Sequence, residues 1–368
     1  MTDTEWILLN PGPGNTTRAV REALVTPDLC HREVEFFQVM RACRAMLARL
    51  AGGGDAFTAV CFTGSGTAAV EAALCSVIPK DRAVLVVDNG VYGRRMVQMA
   101  EAHSIRAEVI RYDIFTPARP ADLEARLSAR PDISHVALVH HETTTGLLNP
   151  LRAVAEVAAR QGRRLIVDAT SSLFGEPLDL MQDGIDFVTA SATKCAQGIS
   201  GVAFVLARRS ALETLKGQPP RSIYLDLYTH YTMQEQDNTP FTPAVQVFFA
   251  LRQALVELER EGVDARIKRY AENARVLREG LARLGFEILV PEACRSSILT
   301  TFRLLPGLTY DALHEAMKRR GYIIYAGQGE IRTYAFRVAN LGILTPQDME
   351  RVVAAFADSL GELAATPR

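Results

Sequence analysis

The sequence predicts an α/β protein, with a large domain on a mainly parallel seven-stranded sheet followed by a smaller α+β domain. Three observations carry this. Between about residues 55 and 210 short apolar runs alternate with amphipathic stretches, the pattern of successive βαβ units. From Pro243 the texture changes to two long helical patterns, 244–260 and 263–284, with apolar residues recurring at three and four. The length of 368 residues suits two domains at roughly 100–200 residues each.

In chain order, an N-terminal arm covers 1–20, the large domain 21–260 and the small domain 261–368. The large-domain strands are predicted at 58–62, 83–87, 106–110, 135–139, 165–167, 187–189 and 202–206. Helices are predicted at 67–77, 92–103, 121–130 and 151–161. Beyond Gly285 the runs 287–290, 298–302, 321–325 and 336–339 read as strands, interleaved with helices at 310–320 and 346–364. Thr345-Pro-Gln-Asp348 gives the last helix a capping-box-like start with proline at its first position.

Composition narrows the function. Lys plus Arg (41) and Asp plus Glu (42) balance to a formal charge of -1, which gives no electrostatic footprint for nucleic acid. The longest uncharged stretches, 56–70 and 238–251, fall short of about 18 residues and contain Thr, Gly or Pro, so no membrane span is expected. Met1-Thr-Asp-Thr-Glu-Trp6 lacks the basic and apolar regions of a signal peptide, and a cytoplasmic location is expected. The six cysteines are scattered, without the spacing of a metal site, and read as reduced thiols.

Three segments carry chemistry. Of the five lysines only Lys194 stands as the sole charge in a long neutral stretch, 187–204, after a predicted strand and before a Gly-rich turn. A desolvated amine has a lowered pKa and can form a Schiff base with a carbonyl or with pyridoxal phosphate; the alternative is a strand-end lysine that reaches for water. Leu165-Ile-Val-Asp168 places a carboxylate at the end of an apolar parallel strand, where open α/β sheets bind ligands. Such an Asp keeps a pyridine nitrogen protonated, or else caps a turn. Thr63-Gly-Ser-Gly-Thr67, between a strand and a helix start, is a phosphate cup: small residues let the backbone approach an anion at the helix N-terminus. Cup, strand-end Asp and lone Lys, in that order, are far more specific together than singly.

With these blocks the chain resembles the class V, fold type I, pyridoxal-phosphate-dependent aminotransferases. The resemblance also rests on Asn10-Pro-Gly-Pro13, Asp28-Leu-Cys-His-Arg-Glu33, Asp88-Asn-Gly-Val-Tyr-Gly93, His140-His-Glu-Thr-Thr-Thr-Gly146, Val167-Asp-Ala-Thr-Ser-Ser172, Ser191-Ala-Thr-Lys194, Ser222-Ile-Tyr-Leu-Asp-Leu227 and Phe336-Arg-Val-Ala-Asn340, which span nearly the whole chain. It implies the cofactor pyridoxal 5'-phosphate, with Lys194 attached to it and Asp168 on its ring nitrogen. It further implies Ser65, Gly66 and Thr67 on the phosphate, Tyr92 stacked on the ring, Thr193 beside Lys194, and Thr145 near the ring hydroxyl or substrate. Thr242 would reach the phosphate in a neighbouring subunit, which implies a homodimer with shared sites. Arg337 would hold the substrate's anionic group, with Arg32, Gly12 and Pro13 as further substrate-binding residues.

Two substrate readings follow from the resemblance. The Glu-Thr-Thr-Thr-Gly and Ser-Ile-Tyr-Leu-Asp-Leu blocks are similar to those of transaminases that take the amino group of 2-aminoethylphosphonate and give it to pyruvate. His31-Arg32-Glu33-Val-Glu35-Phe36 is similar to the corresponding string of alanine–glyoxylate and serine–glyoxylate transaminases.

Overall fold

The computed structural model describes residues 6–365. Met1 to Glu5, the start of the predicted arm, lie outside the described residues. The chain opens with β1 (Ile7–Leu8), α1 (Arg18–Glu22) and α2 (Val34–Leu50), then enters the large sheet at β2 (Phe57–Gly64). There follow α3 (Gly66–Val77), β3 (Ala83–Asp88), α4 (Val91–Ala102), β4 (Arg106–Arg111), α5 (Pro120–Ala129) and β5 (Ile133–Val139). A short hairpin, β6 (His141–Glu142) with β7 (Leu147–Leu148), leads to α6 (Leu151–Arg160), β8 (Arg164–Asp168), β9 (Phe187–Ser191) and β10 (Gly201–Arg208). Helices α7 (Arg209–Glu213), α8 (Leu227–Glu235), α9 (Val245–Glu261) and α10 (Val263–Arg283) come next. The chain closes with β11 (Leu299–Arg303), α11 (Tyr310–Arg319), β12 (Tyr322–Ile323), β13 (Tyr325–Ala326), β14 (Ala335–Ala339) and α12 (Pro346–Ala365).

The large sheet has seven strands in the order β2-β10-β9-β8-β5-β3-β4, and only β10 runs against its neighbours. Strands covered on both faces read as continuous apolar runs, as Ala83–Asp88 does with every residue buried. One core, with Phe36, Leu123, Val154 and Phe248, covers one face; a second, with Val70, Leu74, Met96 and Tyr231, covers the other. A third core joins Leu9 to Leu281, Leu313, Phe336 and Val352, so the beginning of the chain packs with its C-terminal part. Among the described residues, no helix is long and apolar enough to cross a membrane.

All seven predicted large-sheet strands are present, each within about two residues of its expected limits. Two readings in the C-terminal part need correction. The predicted strand 287–290 is only an isolated bridge, Ile288 to Phe302, because this segment meets the edge of β11 through separated bonds rather than a ladder. The run 321–325 is two strands: β12 pairs in parallel with β1, whereas β13 pairs with β14 in another sheet. Ile324, fully buried between them, turns the chain from one sheet to the other. Helix α2 has no counterpart among the predicted elements, although Phe36, Phe37, Met40, Cys43 and Leu47 give it a helical buried face. At α12, the Thr345 N–H donates to Asp348 Oδ2 (2.8 Å) and the Asp348 N–H to Thr345 Oγ1 (3.3 Å), the reciprocal cap expected from the sequence.

Candidate active site

The C-terminal ends of β2, β8 and β9 meet above the sheet and enclose a cavity of about 440 Å³. Strand pairing fixes its floor: Val139 lies opposite Asp168, and Asp168 opposite Thr189, so the carboxylate of Asp168 sits at a fixed height on the central strands. Asp168 is buried, and its Oδ1 accepts the Thr170 N–H at 2.9 Å. Burial raises its pKa, opposed by the Thr170 hydrogen bonding and by the charges of Lys194 and Arg95.

Lys194 follows β9 in the turn before β10 and reaches into the same cavity. Among the described residues, its charged lining neighbours are Asp168 and Arg95. Burial drives its pKa down from 10.5 to about 8, with Cys195 and Asp168 acting in the opposite direction and Arg337 reinforcing the fall. Across the cavity the N-terminal arm supplies a wall. Lys194 Nζ donates to the Pro11 carbonyl, and Gly12 holds a φ of +118°, a left-handed conformation that favours glycine, with its Cα facing the Lys194 side chain.

The cup forms where β2 hands over to α3. Ser65 is the N-cap residue of α3 but its side chain makes no capping bond; the Ala68 N–H turns back to the Ser65 carbonyl (2.9 Å), and Ser65, Gly66 and Thr67 line the cavity at the helix start. A Cβ at Gly66 would meet the Thr170 methyl at 2.6 Å, so the cup and the segment after β8 are packed as closely as glycine permits. Ser191 and Thr193 hydroxyls pair at 3.1 Å on the rim. Tyr92, in the first turn of α4, forms a side wall, and the Arg95 guanidinium lies 5.0 Å from its ring centroid.

A cavity at the carboxyl ends of parallel strands, with a cup, a buried carboxylate and an activated amine, defines a fold type I, pyridoxal-phosphate-dependent transaminase. The class V aminotransferase profile matches residues 19–336, and the chain belongs to that family. It is 40% identical over 362 residues to the 2-aminoethylphosphonate–pyruvate transaminase of Vibrio vulnificus, covering 97% of this chain and 98% of that protein. It is also 40% identical to the enzyme of the same name from Klebsiella pneumoniae, covering 98% and 99% of the two chains. Among solved structures, the Thermus thermophilus aspartate aminotransferase superposes with a TM-score of 0.88 at 28% identity, covering 96% of this chain and 99% of that one. The alanine–glyoxylate aminotransferase of Nostoc superposes at 0.91 and 25%, covering 98% and 96%.

The residues present fit pyridoxal phosphate. Besides cup, carboxylate and amine, two buried polar atoms at the cavity, Thr170 Oγ1 and His141 Nε2, have no partner among the described residues. His141 Nδ1 lies 3.2 Å from the Ser171 carbonyl, which can only accept, so Nδ1 carries the hydrogen and Nε2 presents a bare lone pair. Burial holds this ring neutral, with a pKa of about 3.

Of the residues expected from the sequence, the structure gathers Gly12, Pro13, Ser65, Gly66, Thr67, Tyr92, Asp168, Thr193 and Lys194 around the cavity. It does not bring four others to the lining. Thr145 is fully buried, with its hydroxyl donated to the Ile114 carbonyl at 3.1 Å. Thr242 is exposed, beside a separate small pocket under Phe241. Arg32 lies on the surface and donates to Asn238 Oδ1 at 2.8 Å. Arg337 lies behind the lining, close enough for its charge to depress the Lys194 pKa. Sequence reasoning missed His141, Thr170 and Arg95. Arg95 follows Tyr92 by three positions on a helix, and that spacing is a signal for a shared face.

Proposed function

We propose that this transaminase takes the amino group from 2-aminoethylphosphonate, giving phosphonoacetaldehyde, and passes it to pyruvate, giving alanine. Arg337 carries the reading. It is 2% exposed, yet it donates only to neutral acceptors: Nε to the Ala326 carbonyl (2.8 Å), Nη1 to the Thr143 carbonyl (2.7 Å) and to Gln328 Oε1 (3.0 Å). No carboxylate among the described residues forms an ion pair with it, and Nη2 makes no hydrogen bond to the described residues. A buried, unpaired cation is costly, so it points to an anionic substrate that completes the pair. The full-length relatives at 40% identity, named for this donor and acceptor, support the particular choice.

Bound pyridoxal phosphate supplies the carbonyl carbon that receives the amino group and a ring that withdraws electrons. The chain's own residues do the rest. Asp168 holds a proton on the ring nitrogen, and the Ser65–Thr67 cup takes the phosphate. The neutral Lys194 amine accepts a proton from the amine-bearing carbon of the substrate, while Arg337 orients that substrate by its oxyanion.

We also read the enzyme as a homodimer: Thr242 is exposed, and Ile223 (82% exposed) and Tyr224 lie on an uncovered loop nearby. The six free cysteines fit the reducing cytoplasm. Single-turnover reactions of the pyridoxal-phosphate enzyme with 2-aminoethylphosphonate, alanine and serine test the substrate. Conversion by 2-aminoethylphosphonate and alanine is expected. Conversion by alanine or serine with no reaction of the phosphonate would hand the enzyme to the glyoxylate transaminases.

A further inference from the structure

Helix α4 has no cap of its own. The residue before it is Gly90, which has no side chain to offer, yet the first three N–H groups of the helix are all bonded. Val91 N–H donates to Thr144 Oγ1 at 2.9 Å, and the Tyr92 and Gly93 N–H groups donate to Glu142 Oε2 at 3.1 and 3.2 Å. The other oxygen of Glu142 accepts from the Thr144 N–H (3.0 Å) and hydroxyl (2.6 Å). Glu142 is fully buried, and its carboxylate satisfies four donors at the positive end of a helix. Its seat is reserved, since a Cβ at Gly90 would come within 2.7 Å of Oε2.

The residue between Glu142 and Thr144 extends the linkage. The Thr143 carbonyl accepts from Arg337 Nη1, so three consecutive residues grip the backbone under the Tyr92 ring on one side and the guanidinium on the other. We propose that Glu142 is a positioning residue, which sets the Tyr92 ring against the cofactor and fixes its distance from Arg337. This rests on reading the cavity as the cofactor site, and not on the identity of the amino donor.

A carboxylate is required by the donor count. The amide of Gln has one accepting oxygen and turns an N–H₂ towards the other side, so Glu142→Gln keeps the volume but leaves at least one backbone N–H facing a donor. The test is a double-mutant cycle of Glu142→Gln with Tyr92→Ala. It reads the pyridoxal phosphate dissociation constant and the visible circular dichroism of the holoenzyme, with a melting curve for each variant. Glu142→Gln alone is expected to weaken cofactor binding about tenfold and change the dichroism, but to add less than about twofold when Tyr92 is already alanine. Equal losses in both backgrounds, or no change in either readout, would overturn the proposal. If Glu142→Gln does not fold, Thr144→Val, which breaks the same linkage at its hydroxyl, takes its place in the cycle with the same expectations. If Tyr92→Ala alone leaves cofactor affinity intact, the placement of the cofactor against Tyr92 fails, and the role of Glu142 fails with it.

Discussion

Lys194 is burdened by its own function. Burial lowers its pKa from 10.5 to about 8, so in the cofactor-free protein at pH 7 it is a buried charge that the unfolded chain carries in water. The penalty is complete below about 8 and fades towards 10.5, where the folded lysine has released a proton that the unfolded one still binds. Lys194→Met is therefore expected to raise the melting temperature of the cofactor-free protein at pH 7, with a gain that shrinks across that window. A gain independent of pH would assign the effect to packing alone. The same variant should lose turnover and the covalent attachment of cofactor trapped by borohydride. Asp168→Asn removes the partner of the ring nitrogen, and turnover should fall at least about a hundredfold, a few kcal/mol of transition-state stabilisation. A loss under tenfold with normal cofactor affinity would reduce Asp168 to a turn residue holding Thr170. Both residues were legible because each is a lone charge in an apolar stretch. His141 was not, because its role depends on which ring nitrogen the Ser171 carbonyl occupies, a contact between distant segments.

Between elements, the junction at Glu176 responds to pH. It lies on the loop after β8, and its Oε1 accepts the Ser296 hydroxyl (2.7 Å) and the Ser297 N–H, just ahead of β11. Burial pushes its pKa from 4.5 up to about 7, so the folded chain holds a proton that the unfolded chain has lost between those values. Stability from this group is present below 4.5 and is lost as pH rises to about 7. Glu176→Gln stays neutral and still offers an acceptor to both serines. Its melting temperature relative to the parent enzyme should rise from pH 4.5 to 7 and then level off, and a flat difference would show that the hydrogen bonds outweigh burial. The elements themselves were readable in proportion to their periodicity. The large-sheet strands stood out as apolar runs between turn residues. The division of 321–325 did not, because Ile324 is apolar like its neighbours, and only the partners on either side reveal that the chain changes sheets.

For the whole molecule, the shared-site reading makes a quantitative prediction. If Thr242 serves the neighbouring subunit, Lys194→Ala and Thr242→Asp each impair both sites of a homodimer. A mixed dimer gathers both lesions in one site and leaves the other intact. Unfolding and refolding equal amounts together should restore about a quarter of full activity, whereas no recovery would place Thr242 outside the active site. The alternation of strands and helices in the large sheet region was legible from its periodicity. The pairing of Ile7–Leu8 with Tyr322–Ile323 was not, since each run is too short to announce a strand and the two lie far apart in the sequence.

That pairing bears on how the enzyme is made. On the ribosome, Ile7–Leu8 emerges long before the strand it needs, Tyr322–Ile323. Pro11 and Gly12, the wall against the Lys194 amine, hang from that early strand. The large sheet can assemble while translation continues, but its reactive amine keeps an open side until the late strand arrives. A ribosome-bound chain stopped before Tyr322 thus holds cup, carboxylate and lysine without a closed pocket, and capture of the cofactor waits for that strand.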